Sequence, residues 1–443
     1  MSKNIEAVRT PVIDWTAAQL PTRVQRLANG LTVIAHPDHK SPVVAVYVGY
    51  RAGSRDEPRA KAGLAHLCEH LMFSGTKIFA GSYFAPFEQA GAAWMNAFVK
   101  EDYSAYFATV PAGALDFALR MEADRLAHLA EALDAEKVDR QREVVRNELR
   151  QRESEPYGGA IRILAELAHP SDHPYAHPPD GFVEELDNIS IDDVREWIET
   201  RHVAANVEVI LAGDVEPGQA IEKACHHFEA IAARPAIARP AHSAVNDARA
   251  SLKVRASLKV KEQAIKHARL YIAWNGPAFA SPDYPALEAT CAILAGGKSS
   301  RLGHRIVEGE RLATELAVEF RPRALGSLVV LNVTARNGVP LGGIETAVRL
   351  ELERLSREGP SRDELDIARL QLFGRLVRGI ERVGGPQSKS DMLGLAALVG
   401  GSPDMHEQRI SRIATIAPDA IVAAVRRWLA AEGTVLEMHA APY

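Results

Sequence analysis

The chain has 443 residues, 47% hydrophobic and 25% charged, with a formal net charge of −5 at pH 7. That length exceeds one compact core and calls for two or more domains of about 100–200 residues, and the balance of apolar and charged residues excludes a disordered chain. A pI near 6.4 argues against nucleic acid as a partner, which calls for a basic face. No run of 18 apolar residues occurs, so no membrane span is expected. The opening Met1-Ser2-Lys3-Asn4-Ile5-Glu6 lacks the apolar segment of a signal peptide. A cytoplasmic, bacterial location is expected, or a periplasmic one if a leader precedes this sequence. Cys68, Cys225 and Cys291 are odd in number and widely spaced, and read as buried thiols.

In chain order, residues 1–21 carry scattered prolines and no sustained period, which predicts an extended arm. Residues 30–36 and 43–49 are β-branched runs separated by Pro37–Pro42, which predicts the first hairpin of a sheet. The next segment, Leu64–Leu71, is helical in pattern and polar at three places. At 3.6 residues per turn His66, Glu69 and His70 share one face, while Leu64, Leu67 and Leu71 anchor the helix and Cys68 points away. Two imidazoles within one turn are a zinc-ligand pair, and a carboxylate between them is placed to take a proton from a bound water. The plainer alternative is a surface helix carrying three polar residues by chance.

Residues 91–99 and 103–110 read as strands, and 112–131 and 134–154 as helices, the second capped by Asp134. On that second helix Val144, Val145, Glu148 and Leu149 share a face. A carboxylate on an apolar face is costly unless paired or metal-bound, so Glu148 is a better third-ligand candidate than Glu143 or Glu153, with a salt-bridged glutamate as the alternative. The loop His169–Pro178, rich in histidine and proline, reads as structural rather than as a second metal site. A helix through Ile191–Thr200 and a strand at 207–214 close a first domain of residues 22–231. Residues 232–249, with Pro235 and Pro240, read as a linker. The pattern restarts in 250–443 with a strand at 269–274, helices, a helix opened by Ala417–Ile421 and a closing strand at 434–438. Val194 and Ile421 occupy matching places, so the halves look like copies of one unit of which only the first keeps the polar motif. Gly296–Leu302 contains Gly297-Lys298-Ser299, but Ala292 stands where a phosphate loop opens with glycine, so the segment is not read as one.

The order His-x-x-Glu-His, within Gly63–Thr76, is the inverzincin signature. It resembles pitrilysin-type metallopeptidases, and in particular the short-chain branch with mitochondrial processing peptidase and its bacterial relatives. Asn29-Gly30-Leu31, Asn96-Ala97 followed by Tyr103, Tyr106 and Val110-Pro111, and Gln141–Glu148 resemble further family segments in the same order. The resemblance implies an α+β fold of two homologous domains, each a mostly antiparallel sheet packed with helices. It further implies a Zn2+ endopeptidase in which His66, His70 and Glu148 hold the metal and Glu69 is general base and then general acid. Asn96, Ala97 and Phe98 would lie on an edge strand that pairs with extended substrate. Val99 stands where relatives commonly carry Thr, and Gln141 replaces an acid of the family's outer shell.

In the second half the family's substrate-facing Arg and Tyr fall on Val307 and Thr314, so both are missing; a shift of one turn would offer Arg305 or Arg311 instead. The implied partner is a homologous subunit that supplies the Arg/Tyr pair, making a heterodimer. The competing function is that of a non-catalytic assembly subunit, as family members in respiratory complexes are. A scaffold has no need of a glutamate between two histidines.

Overall fold

The computed structural model describes residues 12–76, 78–239, 255–258, 265–430 and 433–440. The first half contributes strands β1 (Arg23–Arg26), β2 (Thr32–Pro37), β3 (Val43–Tyr50), β4 (Trp94–Val99), β5 (Ser104–Pro111) and β6 (Val207–Gly213). Its helices are α1 (Leu64–Leu71), α2 (Phe84–Gln89), α3 (Leu115–His128), α4 (Ala135–Ser154), α5 (Ala160–Ala168), α6 (Ile191–Arg201) and α7 (Pro217–Phe228). The second half contributes β7 (Arg255–Leu258), β8 (Arg269–Asn275), β9 (Ala313–Arg321), β10 (Leu328–Ala335) and β11 (Thr434–Met438). Its helices are α8 (Tyr284–Ala295), α9 (Leu341–Glu358), α10 (Arg362–Ile380), α11 (Lys389–Leu398), α12 (Met405–Ala414) and α13 (Pro418–Ala424).

The strands form two sheets, ordered β1-β2-β6-β3-β5-β4 and β7-β11-β8-β10-β9. Apart from β1 the two orders correspond strand for strand. Each has one parallel pair, β2 with β6 and β7 with β11, in an otherwise antiparallel ladder. The chain is an α+β protein built on two copies of one topology.

The expected hairpin of β2 and β3 does not form. β6 enters between them, with Ile210 opposite Ile34 on one side and Tyr47 on the other. Every residue of β6 is buried, and a strand apolar on both faces is stable only inside a sheet. The 38–42 connection closes around the end of β6, with Asp38 N–H donating to Gly213 O (2.7 Å) and Asp214 N–H to Val43 O (2.9 Å).

The period-2 alternation of the first sheet separates two cores. Val33, Val46 and Val48 pack with Leu67 and the first-half helices. Ile34, Tyr47, Phe107 and Ile210 face the other way and pack with Phe279, Tyr284, Leu393 and Leu398 of the second half. A buried polar knot joins the halves beside this core. Arg323 contacts Glu101 (2.6 Å), and Tyr175 donates to Asp102 (2.7 Å), which also receives Arg55 (2.6 Å) and Ala324 N–H (2.8 Å).

Of the arm, residues 1–11 lie outside the described residues, and the described part departs from the extended form. Trp15–Ala18 is a short 3-10 turn docked on the second half, Trp15 edge-on to Phe373 at 5.2 Å and Ala18 O held by His406 Nε2 at 3.0 Å. An indole offers more apolar area to bury than an extended arm could leave in water. Of the linker, 232–239 runs without helix or strand and Arg239 grips Asp56 (3.0 and 2.8 Å), while 240–249 lie outside the described residues. Cys68 and Cys291 are buried; Cys225 is partly exposed, at the outer edge of α7.

Candidate metal centre

Helix α1 starts without a side-chain cap of its own. Gly63 precedes it at φ 103, and the Glu57 carboxylate accepts instead from Gly63 N–H (3.2 Å) and Ala65 N–H (2.8 Å). A carboxylate at a helix N-terminus satisfies orphan donors and complements the dipole. His177 Nε2 holds that carboxylate from behind at 3.0 Å. The histidine-proline loop is thereby structural: His177 supports α1, and His169, buried and stacked on His173 at 4.4 Å, has its imidazole pushed down to about 2 by burial.

On α1 the rings of His66 and His70 stand edge to face, 5.0 Å apart. The long helix α4 crosses this face. Val138, Val145 and Leu149 are buried against the core, whereas Val144 is exposed, so the face that carries Glu148 is narrower than its spacing predicted. Glu148 Oε2 lies 3.7 Å from His66 Nε2 and 3.4 Å from His70 Nε2. The three ligand atoms all fall within 4.8 Å of one another, and no other such group of His, Cys, Asp or Glu occurs among the described residues. Neither rival acid approaches: Glu143 pairs with Arg146, and Glu153 with Arg162 (3.3 Å).

This donor set fits zinc. Bonds of about 2.0–2.2 Å in a tetrahedron put ligand atoms about 3.4 Å apart. Burial pushes the His66 imidazole down, favouring the neutral form, and a hydrogen bond from His70 holds the Glu148 carboxyl down at about 2. Burial pushes Glu69 the other way, up to about 7. Glu69 faces the same cavity as His66, His70 and Glu148.

Two supporting residues were not anticipated from sequence. The Asp180 carbonyl lies 3.2 Å from His66 Nδ1, fixing the ring so that Nε2 points at the site. Arg152, one turn beyond Glu148, donates to Glu148 Oε1 (2.7 Å) and pairs with the Asp180 side chain. The i, i+4 spacing of Glu148 and Arg152 was a readable signal. Nothing local pointed to Asp180, which is far from both in sequence.

The site opens into a cavity of ≈ 1230 Å³ between the halves. β4 is the edge strand of its sheet, and Asn96, Ala97 and Phe98 line the cavity together with the metal cluster, as do Val99 and Gln141. Asn96 Oδ1 accepts from Ala97 N–H (2.9 Å). From the second half come Phe320, Arg321 and Pro322 at the end of the edge strand β9. Arg305, Val307, Arg311 and Thr314 do not line it. Arg305 is held by Glu310 (2.7 Å) and Glu351 (3.1 Å), Val307 packs on the second core, and Thr314 donates to Thr334 O (3.3 Å).

Fold and motif together define a metallopeptidase-type chain. The family model described as insulinase (peptidase family M16) matches residues 32–168, and that described as peptidase M16 inactive domain matches residues 188–372. The chain belongs to this pitrilysin-like M16 peptidase family. It is 28% identical over 376 residues to the zinc protease PqqE of Helicobacter pylori, covering 84% of this chain and 81% of that protein. It is 27% identical over 294 residues to the human mitochondrial cytochrome b-c1 complex subunit 1, covering 65% and 59%. The crystal structure of a protease from Helicobacter pylori shares the fold, with a TM-score of 0.85, 24% identity, and coverage of 95% of this chain and 99% of that one. No helix among the described residues is long and apolar enough to cross a membrane.

Proposed function

We propose that this chain is the catalytic subunit of a zinc-dependent endopeptidase that hydrolyses extended peptides held by strand addition along β4. The convergence of His66, His70 and Glu148 beside Glu69 carries this reading. His66, His70 and Glu148 would hold zinc, which when bound lowers the pKa of a water to about 7 and polarises a carbonyl. Glu69 takes a proton from the attacking water and returns it to the leaving amine. The backbone of β4 pairs with the peptide, and Asn96, Ala97 and Phe98 meet its side chains.

Residues 22–231 and 250–443 are taken as the two homologous domains, joined by 232–249 and preceded by the 1–21 arm. Val307 and Thr314 cannot donate a charge-assisted or phenolic hydrogen bond to a developing oxyanion. A heterodimer therefore follows, in which a homologous subunit brings an Arg/Tyr pair to a closed chamber. The second reading, a non-catalytic assembly subunit, draws on the likeness to the respiratory-complex subunit; the retained Glu69 and complete ligand set favour the enzyme.

Elemental analysis of the purified chain combined with cleavage of a mixed peptide pool tests both. About one zinc per chain and metal-dependent cleavage, alone or with a homologous subunit, are expected. A chain without zinc and without cleavage in either setting is the scaffold.

A further inference from the structure

Four cations line the metal cavity: Lys100, Arg152, Arg162 and Arg321. Three are already neutralised by carboxylates. Arg152 is taken by Glu148 (2.7 Å) and Asp180, Arg162 by Glu153 (3.3 Å) and Glu166 (3.6 Å), and Arg321 by Glu319 (2.9 Å). Lys100 differs. It is exposed, no carboxylate of the described residues lies within ion-pair distance, and its ammonium sits 5.4 Å above the Phe98 ring. The acid behind it, Asp391, is buried and accepts from Gln387 N–H (2.7 Å).

The position of Lys100 gives that charge a use. It follows directly on β4, and its backbone N–H closes onto Tyr103 O (2.8 Å), so it continues the face of the strand that carries Asn96 and Phe98. That face looks toward the second half, where Phe320 and Leu395 complete an apolar wall. A peptide added to β4 sends alternate side chains to this side. One that reaches the end of the strand meets an aromatic floor and an exposed ammonium that acts on the buried Asp391 through space but has no carboxylate of the described residues at ion-pair distance.

We propose that Phe98 and Lys100 form a subsite that takes a carboxylate of the peptide substrate, either an acidic side chain or a free C-terminus, and so bias the enzyme toward acidic peptides. This inference rests on the strand-addition reading above. Phe98 supplies apolar contact to the methylene groups and Lys100 the counter-charge.

Binding tests it without requiring turnover. The zinc-loaded Glu69→Gln protein, in which cleavage is slowed, is titrated into fluorescent decapeptides that differ at one position as Asp, Ala or Lys, each made as C-terminal amide and as free acid. In low salt the carboxylate peptides are expected to bind about two- to fivefold more tightly than their alanine twins, and the gap should close at about 1 M salt, where the screening length falls to about 3 Å. Adding Lys100→Glu should invert the order, and Lys100→Arg should keep it. A gain confined to internal Asp identifies a side chain as the source, and a gain confined to the free acids identifies the terminus. Equal binding of all twins, or a preference unchanged by Lys100→Glu, overturns the subsite while leaving peptide binding intact. Failure of every peptide to bind overturns the strand-addition reading and the subsite together.

Discussion

Gly63 and Gly181 meet backbone against backbone, both in the left-handed region at φ 103 and φ 83, and a Cβ on Gly181 would overlap the Gly63 Cα. The contact joins the start of α1, which carries His66 and His70, to the loop whose Asp180 carbonyl faces His66. A side chain at either position would push loop and helix apart. Gly181→Ala is expected to cost about 1–3 kcal/mol of stability through strain and overpacking and to weaken zinc binding as well. Thermal unfolding with and without zinc checks both, and an alanine variant with unchanged metal affinity would separate the glycine contact from the site.

Arg152 ties Glu148 to that same loop. Replacing it with Met removes the link without touching a ligand, and loss of an outer-shell partner of this kind typically lowers metal affinity about 10–100-fold. Competition with a chelator of known affinity measures the change. Wild-type affinity would reduce Arg152 to a surface ion pair.

Glu69 and Glu148 should separate cleanly by substitution. Glu69→Gln is expected to keep zinc and slow hydrolysis about 10²–10⁴-fold. Glu148→Gln should lose metal, because it removes the anionic ligand. Zinc content and turnover measured on the same preparations decide the assignment, and undiminished zinc in Glu148→Gln would require another third ligand.

The inter-half knot makes a prediction about stability alone. Arg323 is nearly inaccessible and is paired with Glu101, which is also buried. Arg323→Met strands a buried carboxylate, for which about 3–5 kcal/mol is the usual cost. Urea unfolding of the single variant should show that loss, and the double variant Arg323→Met/Glu101→Gln should recover part of it.

The partner prediction is tested by subtraction. With Val307 and Thr314 standing where the family's Arg and Tyr are expected, the isolated chain should cleave peptides poorly, and a homologous subunit that carries both residues should raise the rate. Assaying the chain alone and then with such a subunit settles this; full activity from one polypeptide would end the heterodimer proposal.

What the sequence determined by itself was local and periodic. The spacing of 66, 69 and 70 turns two imidazoles and a carboxylate to one side of any helix that forms there, Asp134 caps α4 by accepting from Lys137 N–H (2.8 Å), and the apolar runs mark the strands. These depend on neighbours within a turn or two, and so can be read along the chain. The tertiary structure decided the rest. β6 lies between β2 and β3 because only burial on both faces stabilises so apolar a strand, and burial is a property of the whole sheet. Val144 turned outward because α4 contacts the core along a narrower stripe than its spacing allowed. Asp180 reaches His66, and Phe320 faces β4 across the cavity, through contacts between segments more than a hundred residues apart. No periodicity encodes such contacts; they follow from how two sheets, each apolar on both faces, fit together.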